Sequence, residues 1–353
     1  MKSPPALPPR RATEVFARPG HAHAPGIRFD QPAVTSTLPL PVTTAEKHPS
    51  RIALLLAFAA IYLIWGSTYL AIRVAVETMP PFLMAGTRFV VAGAVLFAFL
   101  RLRGAMWPTA RQWTANTIIG TFLLLGGNGL VVWAEQYVPS GITALLIGVG
   151  PLFIVLTEWV WPGGIRPSAT TMAALLLGFA GVVWLAAPWE TSAGGGLHPA
   201  GALAILGASI SWAIGSIYSR HAKHGADPLL AAALQMLGGG AALLVVAAIN
   251  GDMPRVDLQA VSPRSWLAFA YLVSAGSLVG FSTFVWLMKH STPARVSTFA
   301  YVNPIVAVFL GWLLLHEPIT SRIIVASVII VAAVVIITTE KSRTSLSTRR
   351  GGM

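Results

Sequence analysis

Arg88 offers more chemistry than any other single residue of this chain. It stands six residues past Phe82 in an apolar run, about 9 Å in if the run is helical, at roughly 1.5 Å per residue. A full charge that deep in a bilayer costs on the order of a few kcal/mol unless it meets water or a partner. Two readings follow. The long stem carries the guanidinium out to the interface, or the group faces the interior of a helix bundle and holds an anion or a helix-end carbonyl. In the second copy of the repeat described below, Gln235 takes the equivalent place. A polar residue there too favours the interior.

Other polar and aromatic groups keep spacings that suit the wall of a cavity. Tyr62, Trp65, Tyr69 and Arg73 are three or four residues apart, so on a helix they share one face. Their second-copy region is less aromatic, with Ser211, Ile214 and Gly215 before Tyr218. An asymmetric lining suits an asymmetric molecule, whereas the structural alternative is a belt of aromatics at the membrane interface. Asn128, inside Gly126-Gly127-Asn128-Gly129, is an amide that needs partners if buried. Those glycines and Gly238-Gly239-Gly240 permit close helix approach. Neither run is a phosphate loop, since no GK[ST] ending follows.

Pro151 and Pro304 lie in the middle of expected helices, and each frees the carbonyl four residues back, Ile147 and Ala300. Such breaks serve as hinges or substrate contacts, or are plain kinks; Tyr301 and Asn303 crowd the second with hydrogen-bonding groups. Trp133 and Trp286 are expected as interface anchors. The acids Glu135, Glu158 and Glu317 (next to His316) all fall near helix ends. Glu158 is the candidate for proton coupling. With no Asp in any span, histidines only at span ends and no cysteine, an intramembrane enzyme lacks its acid pair or dyad. No cofactor or metal is expected.

The elements that hold these residues follow from composition and repetition. Of 353 residues 55% are hydrophobic and 10% charged, against about 25% charged in a soluble domain. This is an all-α integral membrane protein. The 24 Lys and Arg against 12 Asp and Glu sit in tails and between apolar runs, which suits topology signals and headgroups rather than nucleic acid. Gly127, Trp133, Pro151 and Trp159 recur as Gly280, Trp286, Pro304 and Trp312, and Gly66-Ser67-Thr68-Tyr69 as Gly215-Ser216-Ile217-Tyr218. The chain contains itself twice.

Ten segments are long enough for a core of about 30 Å: roughly 52–72, 82–100, 113–133, 141–161, 169–187, 200–219, 229–249, 265–288, 295–315 and 320–339. The expected organisation is a disordered Pro-rich basic tail over 1–50, a first repeat over 51–187, a loop over 188–199, a second repeat over 200–340 and a basic tail over 341–353. Most Lys and Arg fall on the side of the N terminus; Arg73, Arg255, Arg264 and Arg322 fall on the other. Both termini are therefore expected in the cytoplasm. Five helices per copy is an odd number, so the second copy enters from the opposite side. Inverted repeats around a central cavity are the plan of many carriers.

The run Ile61-Tyr62-Leu63-Ile64-Trp65-Gly66-Ser67 with Arg73, Arg88-Phe89 after Pro80-Pro81, Trp133-Ala134 with Gly141-Ile142-Thr143-Ala144-Leu145-Leu146, and Pro304 followed by His316-Glu317-Pro318 resemble EamA-type members of the drug/metabolite transporter superfamily, nearest its YedA-like inner-membrane branch. The likeness covers about 52–340. It implies ten helices in two inverted five-helix repeats around a central cavity, in a bacterial inner membrane, and outward movement of metabolites or drug-like compounds. One departure is visible: Trp161-Pro162-Gly163-Gly164 stands where Glu317 stands in the second copy, so no symmetric glutamate pair exists.

The expected wall is Trp65, Tyr69, Arg88, Asn128, Trp212, Gln235, Tyr301 and Asn303, with hinges at Pro151 and Pro304. The expected function is export by alternating access. A proton- or ion-coupled importer, and a non-transporting sensor or scaffold, remain as alternatives. The partners are a small-molecule substrate and the bilayer, a homodimer being compatible with both.

Overall fold

Helix starts in this chain are written in proline and short polar caps. The structure, a computed structural model, describes residues 50–164, 166–186, 197–222, 227–291, 296 and 298–350. The expected tail over 1–50 thus lies outside the described residues save for Ser50, and the loop over 188–199 save for its last three. Helix α1, Arg51–Ala75, opens on Ser50, whose Oγ accepts from the Ala53 amide at 3.1 Å. Helix α2, Pro81–Leu102, has proline in its first turn, where the missing N–H costs nothing. The rod α3, Ala110–Ala134, begins in a capping box: Gln112 N donates to Thr109 Oγ1 at 3.3 Å and Thr109 N to Gln112 Oε1 at 2.8 Å.

Rod α4, Ser140–Val160, is interrupted: its helix stops at Ile147 and restarts at Gly150. The chain continues as α5, Ala169–Ala186, α6, Pro199–His221, and α7, Pro228–Ile249. Rod α8 runs from Pro263–Tyr271 through Leu272–Val279 to Gly280–His290, and α9 is Phe299–Leu315. The last helix, α10, is Ser321–Arg350. It carries the basic segment from Lys341 as a continuation of helix. Among the described residues there is no strand. Among the described residues seven helices are long and apolar enough to cross a membrane, and three more are shorter apolar helices, Ala169–Leu185, Val302–Leu315 and Ser321–Ile337.

The packing follows the repeat. Helix α2 lies along α7 and α5 along α10, each pairing a helix with its own counterpart. The pairing of α1 with α9 is answered by α6 with α4, and that of α6 with α3 by α1 with α8. Each repeat therefore completes the other's walls. The α7 glycines sit where such closeness is needed: a Cβ on Gly238 would meet Thr117 of α3, and one on Gly240 would meet Val90 of α2. One apolar core gathers Ala85, Phe89, Ile119, Met236 and Leu243. A second gathers Leu146, Leu152, Leu175, Ile330 and Val334.

Two stretches depart from regular α-helix, and both fall in the same rod of each repeat. Thr121–Gly129 of α3 and Leu272–Val279 of α8 are wound as π-helix. Such segments hold an extra residue per turn and leave carbonyls out of register. One of these, on Phe122, accepts from Ser211 Oγ of α6 at 2.7 Å.

Candidate functional site

The π-helical stretches bracket the chemistry. Leu124, Gly127 and Asn128 from one, and Gly276 and Ser277 from the other, line an inner cavity of about 250 Å³. Helices α1, α2, α4, α6 and α9, with Val131 of α3 and Phe281 of α8, supply the rest of its wall, so both repeats contribute.

Arg88 is 4% exposed, which sets aside the snorkelling alternative. Its Nε donates to Ser277 Oγ at 3.0 Å, and its guanidinium carbon lies 4.7 Å from the Phe89 ring centroid. Nη1 is buried and meets no hydrogen-bond partner. Asn128 Oδ1 and Asn303 Oδ1 are likewise buried and unpartnered. Buried polar atoms without partners are uncommon because each costs about 1–3 kcal/mol. Three of them on one cavity wall, one a cationic donor and two neutral acceptors, leave that wall with free capacity for an anionic group and for hydrogen-bond donors.

The aromatic wall supplies the apolar part. Trp65 lies 5.1 Å from Phe299, edge-on, and 5.2 Å from Phe284. A Cβ on Gly280 would stand 2.6 Å from Trp65 Nε1, and one on Gly127 would stand 3.0 Å from Trp212 Cε3. Each repeated glycine thus makes room for the tryptophan of the other repeat. Trp65, Trp212 and Phe281 also line a second, outer cavity of about 1300 Å³. Its wall includes Ala53 and Ala57 at the start of α1, Ser219 at the end of α6 and Asp227 just before α7, all on the side where α1 begins. The inner cavity is therefore reached from the N-terminal side.

The other side is closed by polar contacts between helix ends. Arg73 Nη1 at the end of α1 donates to the backbone carbonyl of Glu135 after α3. Glu317, past α9, accepts from Ser140 N at 2.8 Å, Ser140 Oγ at 2.9 Å and Gly141 N at 3.0 Å, capping α4 with a full charge. His316 aims it. That residue closes α9 in a left-handed conformation, φ 55°, and Glu317 N donates back to Gly311 O at 3.1 Å.

Of the residues the sequence proposes for the wall, Trp65, Tyr69, Arg88, Asn128, Trp212 and Asn303 line the inner cavity, as do both hinge prolines. Gln235 does not: its Nε2 donates to Asn116 Oδ1 at 3.0 Å, and it lines the outer cavity. The side chain of Tyr301 lies outside the described residues. Pro151 follows the break in α4, whereas Pro304 stands in the second turn of α9, which is unbroken around it. Glu158, the expected proton carrier, is in an ion pair with Arg220 at 3.4 Å and is partly exposed. Trp286 lines the outer cavity and stacks on His290. Sequence reasoning missed Ser277 and the burial of Glu135. A serine three residues before Gly280, opposite an arginine, was the only signal for the first.

Among the described residues no cluster of three or more His, Cys, Asp or Glu is placed to hold a metal ion.

Comparison with known proteins fits this geometry. The model of the EamA-like transporter family matches residues 51–187 and again 199–339. The inner membrane transporter YedA of Escherichia coli is 40% identical over 259 residues, 72% of this chain and 80% of its own. The transporter YvbV of Bacillus subtilis is 26% identical over 271 residues, 77% of this chain and 86% of its own. A solved crystal structure superposes with a TM-score of 0.58 at 25% identity, over 84% of this chain and 99% of its own. With two family matches covering most of its length, the chain belongs to the EamA-like transporter family of the drug/metabolite transporter superfamily.

Proposed function

We propose that this protein is a carrier of a bacterial cytoplasmic membrane, with both termini in the cytoplasm, that moves a small organic metabolite or drug-like compound outward by alternating access. All ten helical rods are read as crossing the bilayer, so the five-helix repeats run in opposite senses. One observation carries the reading: an inner cavity walled by both repeats, with the unpartnered Arg88 Nη1, Asn128 Oδ1 and Asn303 Oδ1, joins a larger cavity on one side only. A midplane site open to one side is one half of such a cycle. The substrate that fits has an anionic group for Arg88, donors for the two asparagines and an apolar body for Trp65 and Trp212. Opening toward the N-terminal side, the one richer in Lys and Arg, supports loading from the cytoplasm. A proton- or ion-coupled importer is the second reading, favoured by a buried carboxyl at Glu135.

The test is an export screen in a bacterial host. Wild type and Arg88→Ala, matched for membrane abundance, are compared by mass spectrometry of the medium. A compound exported by the wild type and at least tenfold less by Arg88→Ala supports the carrier and its cavity. Export equal to an empty vector refutes outward transport in that host. A chain truncated at Ser50 and Lys341 should still export, whereas a sensor or scaffold working through its tails would lose its effect.

A further inference from the structure

The turn between α2 and α3 is held on both its backbone and its side chains. Helix α2 ends in a complete Schellman motif: Gly104 takes φ 84°, its N–H donates to Arg101 O at 3.0 Å, and Ala105 N donates to Leu100 O at 3.0 Å. The capping box of Thr109 and Gln112 then starts α3. Rings and cations brace what the backbone has closed. The Arg101 guanidinium carbon lies 4.2 Å from the Trp107 ring centroid, and its Nη1 donates to Ala105 O. Phe97 of α2 lies 6.0 Å from Trp107 and 6.1 Å from Trp113 of α3, so one group of rings ties both helices to the turn. Arg103 lies over the Phe99 ring at 5.1 Å.

The braced turn presents an apolar shelf beside unpaired charge. Leu102, Met106 and Trp107 are 89%, 85% and 70% exposed. Arg101, Arg103 and Arg111 flank them in the chain, and no Asp or Glu occurs between Glu77 and Glu135. None of the three arginines is in an ion pair among the described residues. Topology asks for basic residues on this side, but it does not ask for guanidiniums held against rings on a fixed turn. The matching turn of the second repeat, between α7 and α8, shows the difference. It also bends at a glycine, Gly251 with φ 74°, yet it balances Arg255 and Arg264 with Asp252 and Asp257. Folding the chain back therefore does not require the excess charge.

We propose that the α2–α3 turn is a binding site for an anionic phospholipid of the leaflet on the N-terminal side: Arg101, Arg103 and Arg111 hold its phosphate, and Leu102, Met106 and Trp107 lie along the start of its acyl chains. With α1 and α2 each crossing the bilayer once, the turn stands at the surface where α1 begins, at the depth of the headgroups. A free phosphate ion has no use for the shelf, and a zwitterionic lipid brings a cation of its own toward three arginines. An anionic lipid meets both halves of the site. Bound there, it pins the ends of the two helices that carry Arg88 and Asn128 to the cavity. The site rests on the membrane placement of these helices and not on what the carrier moves.

Native mass spectrometry of the full chain in mild detergent tests this, with phosphatidylglycerol, phosphatidylcholine of the same acyl chains, and inorganic phosphate as probes. Wild type should hold phosphatidylglycerol roughly tenfold more tightly than phosphatidylcholine, and phosphate alone should not displace it. Arg101→Gln with Arg103→Gln and Arg111→Gln should abolish the preference while phosphatidylcholine binds as before, which also shows that the variant is folded. Arg103→Gln with Arg111→Gln spares the brace made by Arg101 and should still lose most of the preference. Met106→Ala with Trp107→Ala should weaken phosphatidylglycerol several-fold. A chain cut at Lys341 loses four basic residues of the C-terminal tail and should bind like wild type. Equal binding of the two lipids by wild type, or a preference that survives in both arginine variants, overturns the proposal. So does its loss in the cut chain, which would mean that total charge is read, and so does phosphate that binds as tightly as the lipid. No transport is measured here, so failure of the lipid site leaves the outward carrier standing, and failure of the export screen leaves the lipid site standing.

Discussion

The indole of Trp65 lies so close over Gly280 that a Cβ there would stand 2.6 Å from Nε1. The glycine is thus a seat for a cavity wall that belongs to the other repeat. Gly280→Ala should force Trp65 off its seat and into the inner cavity. Overpacking of this kind costs about 1–3 kcal/mol, and here the loss falls on the site. Export should fall at least tenfold with membrane abundance nearly unchanged, measured in the screen described above. Gly127→Ala, where the approach of Trp212 is 3.0 Å, should do the same more mildly.

Ser277 Oγ fixes the direction of Arg88. In Ser277→Ala the guanidinium keeps its charge but loses its tether. The expected result is a several-fold rise in the apparent KM for the exported compound with a smaller change in kcat. A kcat loss as deep as that of Arg88→Ala would mean instead that Ser277 itself meets the substrate.

Gln235 and Asn116 form a buried amide pair away from the inner cavity. Gln235→Leu leaves Asn116 Oδ1 without its donor, at a cost of about 1–3 kcal/mol. Thermal stability in detergent should fall while export per folded molecule stays within about twofold. The double change Gln235→Leu with Asn116→Leu should recover part of the stability.

His316 adopts φ 55°, a conformation glycine holds without penalty. His316→Gly should be neutral or raise stability by up to about 1 kcal/mol, since it relieves strain but adds freedom to the unfolded chain. His316→Val should lower it, because a β-branched residue resists that backbone. Thermal unfolding of matched samples decides both.

The repeat, the helices and most of the wall were legible in the sequence because bilayer physics leaves a coarse record. An apolar run of fixed length, an arginine inside one, and tryptophans kept in register across two copies all survive as letters. The π-helical stretches did not, because winding depends on how α3 and α8 meet α6 and α1, and glycine runs alone allow several geometries. Gln235 was placed in the wall by its equivalence to Arg88, yet a short amide finds the nearer partner, Asn116. Glu158 and Glu135 both look like helix-end acids. Only packing separates them, one paired with Arg220 near the surface, the other enclosed.

Glu317 also bears on the populations of the proposed transport cycle. It clamps the start of α4 with three hydrogen bonds, but the first repeat has Gly164 at the matching place. The two orientations of such a cycle would therefore be unequal in depth. Hydrogen bonds to a charged group contribute about 1.5–3 kcal/mol, a bias of roughly ten- to a hundredfold toward the orientation that keeps them. In that proposed cycle an unloaded carrier would rest with its mouth toward the N-terminal side and return there without expenditure of further energy, and opening the far side would be the slow step.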